Sequence, residues 1–149
     1  MSENSRGARR VDQSMAGVAH RILGDHVTPE LRTRMRQLPM RLRGSGLAAT
    51  YAFVLSKADA RGNELEKAYH RLAERVAAHV ADRGLLTGAG RRTDPQRFLA
   101  ALADADVHDY ARISVEVEAL SVWLSRLAEA LCAESDDAST EGGDSGGPA

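Results

Sequence analysis

From Tyr110 to Leu131 the residues Tyr110, Ile113, Val117, Leu120, Leu124, Leu127 and Leu131 recur at alternating spacings of three and four. That period fits one face of an α-helix and not a strand, whose faces alternate every two residues. A heptad-like seam of this kind needs a neighbouring helix to cover it, because most of a helix's stability in water comes from packing its apolar face. The seam predicts a bundle. Trp123, the single tryptophan, sits beside it.

The rest of the chain has the same period, broken by helix punctuation. Met15, Val18, Ala19 and Ile22 mark a first helix over Val11–Leu23, ended by Gly24 and Asp25. Thr28, Pro29 and Glu30 form an N-cap, a first helical position and an acidic first turn. Leu31, Met35, Leu38 and Leu42 then make one apolar stripe. Pro39 lies inside it and predicts a kink or break, since it removes a hydrogen bond and clashes one turn back. Gly44-Ser45-Gly46 ends this helix. Leu47 to about Ala58 is apolar on most sides, which predicts a buried, central third helix. Asn63 with Glu66 predicts a capped fourth helix with Leu65, Tyr69, Leu72, Val76 and Val80 inward, ending at Gly84. A short fifth runs from Asp94-Pro95 to Ala103, and the last from near Asp106 to about Cys132.

No stretch alternates as a strand does, and the loops are short. The expected fold is all-α: a single-domain helical bundle of about six helices with disordered termini. Residues 1–10 read as a disordered basic arm, 11–133 as the helical domain and 134–149 as a disordered acidic, Gly-rich tail. At 149 residues the chain is long enough for a sizeable core. It has no apolar run of membrane-spanning length and no apolar leader, and Cys132 is its only cysteine. A cytoplasmic location, with no membrane partner, is the default expectation.

Catalytic patterns are missing. His20, His26, His70, His79 and His108 include no i, i+4 pair and no HExxH. The Gly-rich triplets lack the Walker pattern. Asp104, Asp106 and Asp109 cluster where carboxylates cap a helix, and Glu116 and Glu118 do not share a face. The expectation is a non-enzyme with no cofactor, no metal and no small-molecule substrate.

Charge is informative in its distribution. Residues 1–57 hold ten Lys/Arg against four Asp/Glu, and the remainder ten against seventeen. Such asymmetry points to a basic face for a polyanion. On the second helix, Arg32, Arg36 and Arg43 fall on one side of the apolar stripe, and Arg34 and Arg41 on the other. They read as phosphate contacts, for which the guanidinium fork is suited, or, slightly ahead of that, as arginines whose stems cover apolar surface while their charge stays in water. Membrane-surface binding fits less well, because the apolar side is needed for the core. Ser45 and the N–H groups of Gly46 and Leu47 open the third helix beside Arg41 and Arg43, a weak anion site. Helices two and three have the outline of a helix-turn-helix, but the third lacks the polar side chains that read base edges.

LPMRLRGSGLAATYAFVLSK, which spans residues 38–57, resembles the signature stretch of the small α-helical subunit of the type III-B CRISPR effector, the Cmr complex. The matching positions are Leu38-Pro39, Arg43, Gly46-Leu47, Ala52-Phe53, Leu55 and Ser56-Lys57. Ser45 stands where the family usually has Asn. YARISVEVEALSVWLSRLAEAL, from Tyr110, resembles the family's last helix in Tyr110, Arg112, Glu116, Ala119-Leu120, Trp123-Leu124, Arg126 and Ala128-Glu129-Ala130, with Ser114 in place of Thr. The resemblance covers residues 11–132. It implies a non-catalytic subunit, several copies of which stack as the inner filament against backbone subunits and a polymerase-like large subunit. The filament helps form the channel in which target RNA pairs with guide RNA. It also implies RNA-facing roles for Arg36, Arg41, Arg43 and Lys57, with Arg112 and Arg126 as lesser candidates, through largely sequence-independent phosphate contacts. Trp123 is a candidate protein-interface residue. Two alternatives remain open: the small helical subunit of the related Csm-type effector, and an adaptor that binds only proteins through the seam or Trp123.

Overall fold

The structure is a computed structural model that describes the backbone of residues 2–86 and 94–140, and the side chains of residues 13–86 and 94–132. It contains six helices: α1 (Ser2–Leu23), α2 (Pro29–Ser45), α3 (Leu47–Lys57), α4 (Glu64–Asp82), α5 (Pro95–Asp104) and α6 (Val107–Thr140). No strand occurs among the described residues. The all-α bundle expected from the apolar period is the fold.

The helix starts follow the cap chemistry in the sequence. Thr28 Oγ1 accepts from Leu31 N–H at 3.2 Å, with Pro29 at the first helical position. Asn63 and Glu66 form a reciprocal capping box, with bonds of 2.9 and 3.1 Å. Asp94 Oδ1 accepts from Arg97 N–H and Asp106 Oδ1 from Asp109 N–H, both at 2.8 Å. Each side-chain oxygen satisfies an N–H that the helix itself leaves without a partner.

Two helices are longer than the sequence predicts. α1 begins at Ser2 rather than Val11, since no proline stands in the way, and α6 continues to Thr140. The side chains of the basic arm at 1–10 and of the tail at 134–149 lie outside the described residues, as do residues 87–93 and 141–149 altogether.

α6 packs mainly on α2 and α1. Its Ile113, Val117, Leu120, Leu124, Ala128 and Cys132 are buried, as are Ala19, Ile22 and Leu23 of α1 and Leu31, Met35, Leu38 and Leu42 of α2. The heptad-like seam is therefore spent inside the molecule. α4 packs on α1 and α3, where Ala68, Ala73 and Ala77 allow close approach. α5 leans on α3 and α4 through Phe98 and Leu102.

α2 differs from expectation at Pro39, through which it runs as one helix. Proline removes one hydrogen bond, but Leu38 and Leu42 on either side are buried and the helix does not break there. α3 also differs, because it is not buried all round. Leu47, Thr50, Tyr51 and Val54 face inward, Phe53 is half-buried, and Ala49, Ala52 and Ser56 are exposed. Alanine is small enough to sit at a surface without penalty, so an Ala-rich helix reads as more buried than it is.

Tyr51, on the inner side of α3, is buried. Its Oη donates to the Ala73 carbonyl at 2.7 Å, and burial pushes its pKa well above the usual tyrosine range, helped by Asp94 and Glu74. The unfolded chain loses this proton near pH 10, the folded chain only at higher pH. The contribution is thus fully present below about pH 10 and is lost as pH rises further. Tyr51→Phe should cost about 1 kcal/mol at neutral pH. It should also flatten the alkaline fall in Tm, read by thermal melts from about pH 8 to 11.

Candidate nucleic-acid interface

The structure separates the α2 arginines into two sets, along the two sides that the helical period assigns. Arg32, Arg36 and Arg43 face α6. Arg36 Nη2 meets both carboxylate oxygens of Glu129, at 2.6 and 2.9 Å. Arg32 Nε lies 3.8 Å from the same carboxylate. Arg43 Nε donates to Glu118 Oε1 at 2.9 Å. Since 36 pairs with 129 and 43 with 118, the two helices run antiparallel. These exposed clasps set their register and contribute under about 1 kcal/mol each.

Arg34 and Arg41 face α3 and α4. The Arg41 guanidinium carbon sits 4.1 Å from the Phe53 ring centroid, and Lys57 Nζ lies 5.8 Å from the same centroid. Phe53 and Lys57 are four residues apart, which places both on one face of α3. The Tyr69 ring of α4 meets Phe53 edge-on, with centroids 6.1 Å apart and planes at 89°. Arg34, Arg41, Lys57, Phe53, Leu65 and Tyr69 line an open cleft of about 290 Å³. No described carboxylate forms an ion pair with Arg34, Arg41 or Lys57. Burial pushes the Tyr69 pKa above the usual tyrosine range, Arg34 and Arg41 pull it back, and Glu30 adds to the rise. Tyr69 is therefore a neutral hydrogen-bond donor at neutral pH. Three cations converge here on two aromatic rings.

The other candidates are elsewhere. Arg112 Nη2 donates to Asp109 Oδ1 at 3.0 Å and reaches the Leu85 carbonyl at 3.5 Å, tying the start of α6 to the segment after α4. Arg126 is exposed on α6, with no ion pair among the described residues. Trp123 is half-buried and packs against the core. Arg36 and Arg43 occupy the clasp face and Arg41 and Lys57 the cleft, so the six candidates do not form one patch.

The α3 N-terminus is not an open anion site. Gly46, at φ 87°, occupies a backbone region that favours glycine, and its N–H donates to the Leu42 carbonyl at 3.0 Å. Gly46 has no side chain to cap the helix. Tyr110 Oη, from α6, accepts from Ala48 N–H at 3.0 Å instead. Tyr110→Phe should cost about 1 kcal/mol, like loss of an N-cap, read by urea denaturation.

His79 is the buried histidine: its Nε2 lies 3.0 Å from Glu116 Oε1, which also accepts from Arg83 Nε at 3.0 Å. This cluster joins α4 to α6. Among the described residues no group of three or more His, Cys, Asp or Glu could hold a metal ion. No described helix is long and apolar enough to cross a membrane.

Arg34, Phe53 and Tyr69 belong to the cleft but are missing from the sequence-derived candidates. Arg34 and Arg41 are seven residues apart on one side of α2, and Phe53 and Lys57 form an i, i+4 pair. Those two spacings are the signal that could have joined them.

Fold and site together define a small all-helical subunit with a cationic, aromatic-floored cleft on one side and an acidic-basic clasp on the other. A family profile described as CRISPR-associated protein (Cas_Cmr5) matches residues 6–131. The chain belongs to this CRISPR-associated Cmr5 family, the small subunits of the type III-B Cmr complex. The crystal structure of a CRISPR-associated Cmr5 family protein from Thermus thermophilus is similar, with a TM-score of 0.57 and 27% identity. That match covers 81% of this chain and 96% of the Thermus chain. No curated protein matches.

Proposed function

We propose that this chain is the non-catalytic, RNA-contacting small subunit of a type III-B effector in antiviral defence. In this reading it stacks with copies of itself in the inner filament, beside the backbone subunits and the polymerase-like large subunit. It lines the target-RNA channel with positive charge and works in the cytoplasm. One observation carries the RNA contact: Arg34, Arg41 and Lys57 converge with no acidic partner among the described residues, whereas Arg36 and Arg43 are already engaged by Glu129 and Glu118.

The contacts are to phosphates and tolerate any sequence, because guide pairing carries the specificity. Each subunit's contribution is small, and the filament adds them. Arg41 and Lys57, joined by Arg34, are the leading RNA contacts. Arg126 is a further exposed cation, and Arg36, Arg43 and Arg112 act mainly within the fold.

A protein-only adaptor fits less well, because the α6 seam is covered by α1 and α2. Met40 and Val115 remain exposed, at 74% and 67%, and suit contacts with neighbouring subunits alongside Trp123.

The test is affinity capture of the chain from its native cell, with mass spectrometry of co-purifying proteins and sequencing of bound RNA. Backbone subunits and short repeat-tagged guide RNAs are expected. Unrelated proteins with no RNA would overturn the reading.

A further inference from the structure

We infer that the cleft between α2, α3 and α4 holds one unstacked nucleotide of an RNA strand, with its base lying on the Arg41 guanidinium and its phosphate met by Arg34 and Lys57. This rests on the RNA-contact reading above and goes further, because a surface that only neutralises phosphates needs neither aromatic rings nor a cavity.

The geometry differs from a simple basic patch in three ways. First, the Arg41 guanidinium carbon lies 4.1 Å from the Phe53 ring centroid and the residue is exposed, which puts a planar cation within reach of an incoming base. Nucleobases stack on guanidinium planes as they do on aromatic rings. Second, Phe53 is itself held edge-on by Tyr69, so the cation has a rigid support. Third, the cleft of about 290 Å³ suits a single nucleotide, and the buried Tyr69 lines it. A base within a duplex has both faces covered by its neighbours and cannot stack on the guanidinium. The cleft therefore selects an unpaired nucleotide, whereas the phosphate contacts alone would accept either form.

Arg41→Lys separates the two kinds of contact. It keeps the positive charge and removes the planar surface. Phe53→Leu removes the support and leaves every charge in place. The full-length protein and both variants are titrated with a short oligouridylate and with an abasic ribose-phosphate strand of the same length. Circular dichroism checks that each variant is folded.

The wild-type chain should prefer the oligouridylate by about tenfold, the scale of one stacked base. Each variant should lose most of that preference, its affinity for the oligouridylate falling by a larger factor than its affinity for the abasic strand. The preference should also persist as salt rises, although both affinities fall. Equal binding of the two strands by the wild type, or an unchanged preference in Arg41→Lys, would sink the nucleotide assignment and leave the phosphate reading standing. Failure of both strands to bind the isolated chain at low salt would also overturn the nucleotide assignment, while the RNA reading is decided separately by the affinity capture above. A third arm uses free uridine monophosphate. Binding as tight as that of the strand, lost in the same two variants, would make the cleft a mononucleotide site and overturn the strand assignment.

Discussion

Replacing Arg41 and Lys57 together by glutamate is expected to lower RNA affinity roughly 100-fold at low salt. The slope of log affinity against log salt should become shallower by about 1 to 1.5, the loss of two positive charges that face the strand. Both side chains are exposed and lack an acidic partner among the described residues, so folding should be nearly unaffected. The matched control is Arg36→Glu with Arg43→Glu, which changes the net charge equally. Those arginines clasp Glu129 and Glu118, so reversal places like charges against each other and weakens the α2–α6 contact. That control should lose about 1–2 kcal/mol of stability and keep most of its RNA affinity. Fluorescence anisotropy with labelled RNA at several salt concentrations, together with urea melts, reads both effects. Equal loss of affinity in the two double variants would mean that net charge matters and the cleft does not.

The largest stability effect is expected at Phe98. Its side chain is 1% exposed and meets the Tyr51 ring edge-on, with centroids 4.8 Å apart and planes at 77°. Phe98→Ala removes that contact and leaves a cavity, at a cost of about 3–5 kcal/mol. α5 has ten residues and is too short to be helical by itself. It depends on Phe98 and Leu102 to stay docked. The variant should therefore shift the urea midpoint and also speed amide exchange in α5 ahead of α6. A midpoint shift of under about 1 kcal/mol would show that neighbouring side chains fill the space.

The helical period and the caps made most of the fold legible. Thr28-Pro29, Asn63 with Glu66, and Asp94-Pro95 each state a helix start in a few residues, because each names the group that meets an unpaired N–H. The heptad spacing in α6 likewise marked the buried side as far as Leu124, beyond which Ala128 and Cys132 are buried and Leu127 and Leu131 only half-buried. The break allowed for at Pro39 and the all-round burial of α3 were misleading, for opposite reasons. Proline's local cost is visible in sequence, but the burial of Leu38 and Leu42 that offsets it is tertiary. In α3 the alanines look apolar without being packed.

The site was half legible. Periodicity placed Arg34 and Arg41 on one side and Arg32, Arg36 and Arg43 on the other. Nothing local could say which side meets α6, since Glu129 stands 93 residues from Arg36. Phe53 and Tyr69 carry no mark that distinguishes a cleft floor from a core.

α6 is the last of the six described helices to be made, and it covers α1 and α2, the first two of them. A chain still on the ribosome with only α5 emerged leaves Leu31, Met35, Leu38 and Leu42 facing water. Tyr110 has not yet reached Ala48, so the start of α3 is uncapped as well. Closure of the bundle is therefore an event that follows synthesis of α6. Until then the apolar stripe of α2 lacks its main cover, the kind of surface that invites aggregation before folding is complete.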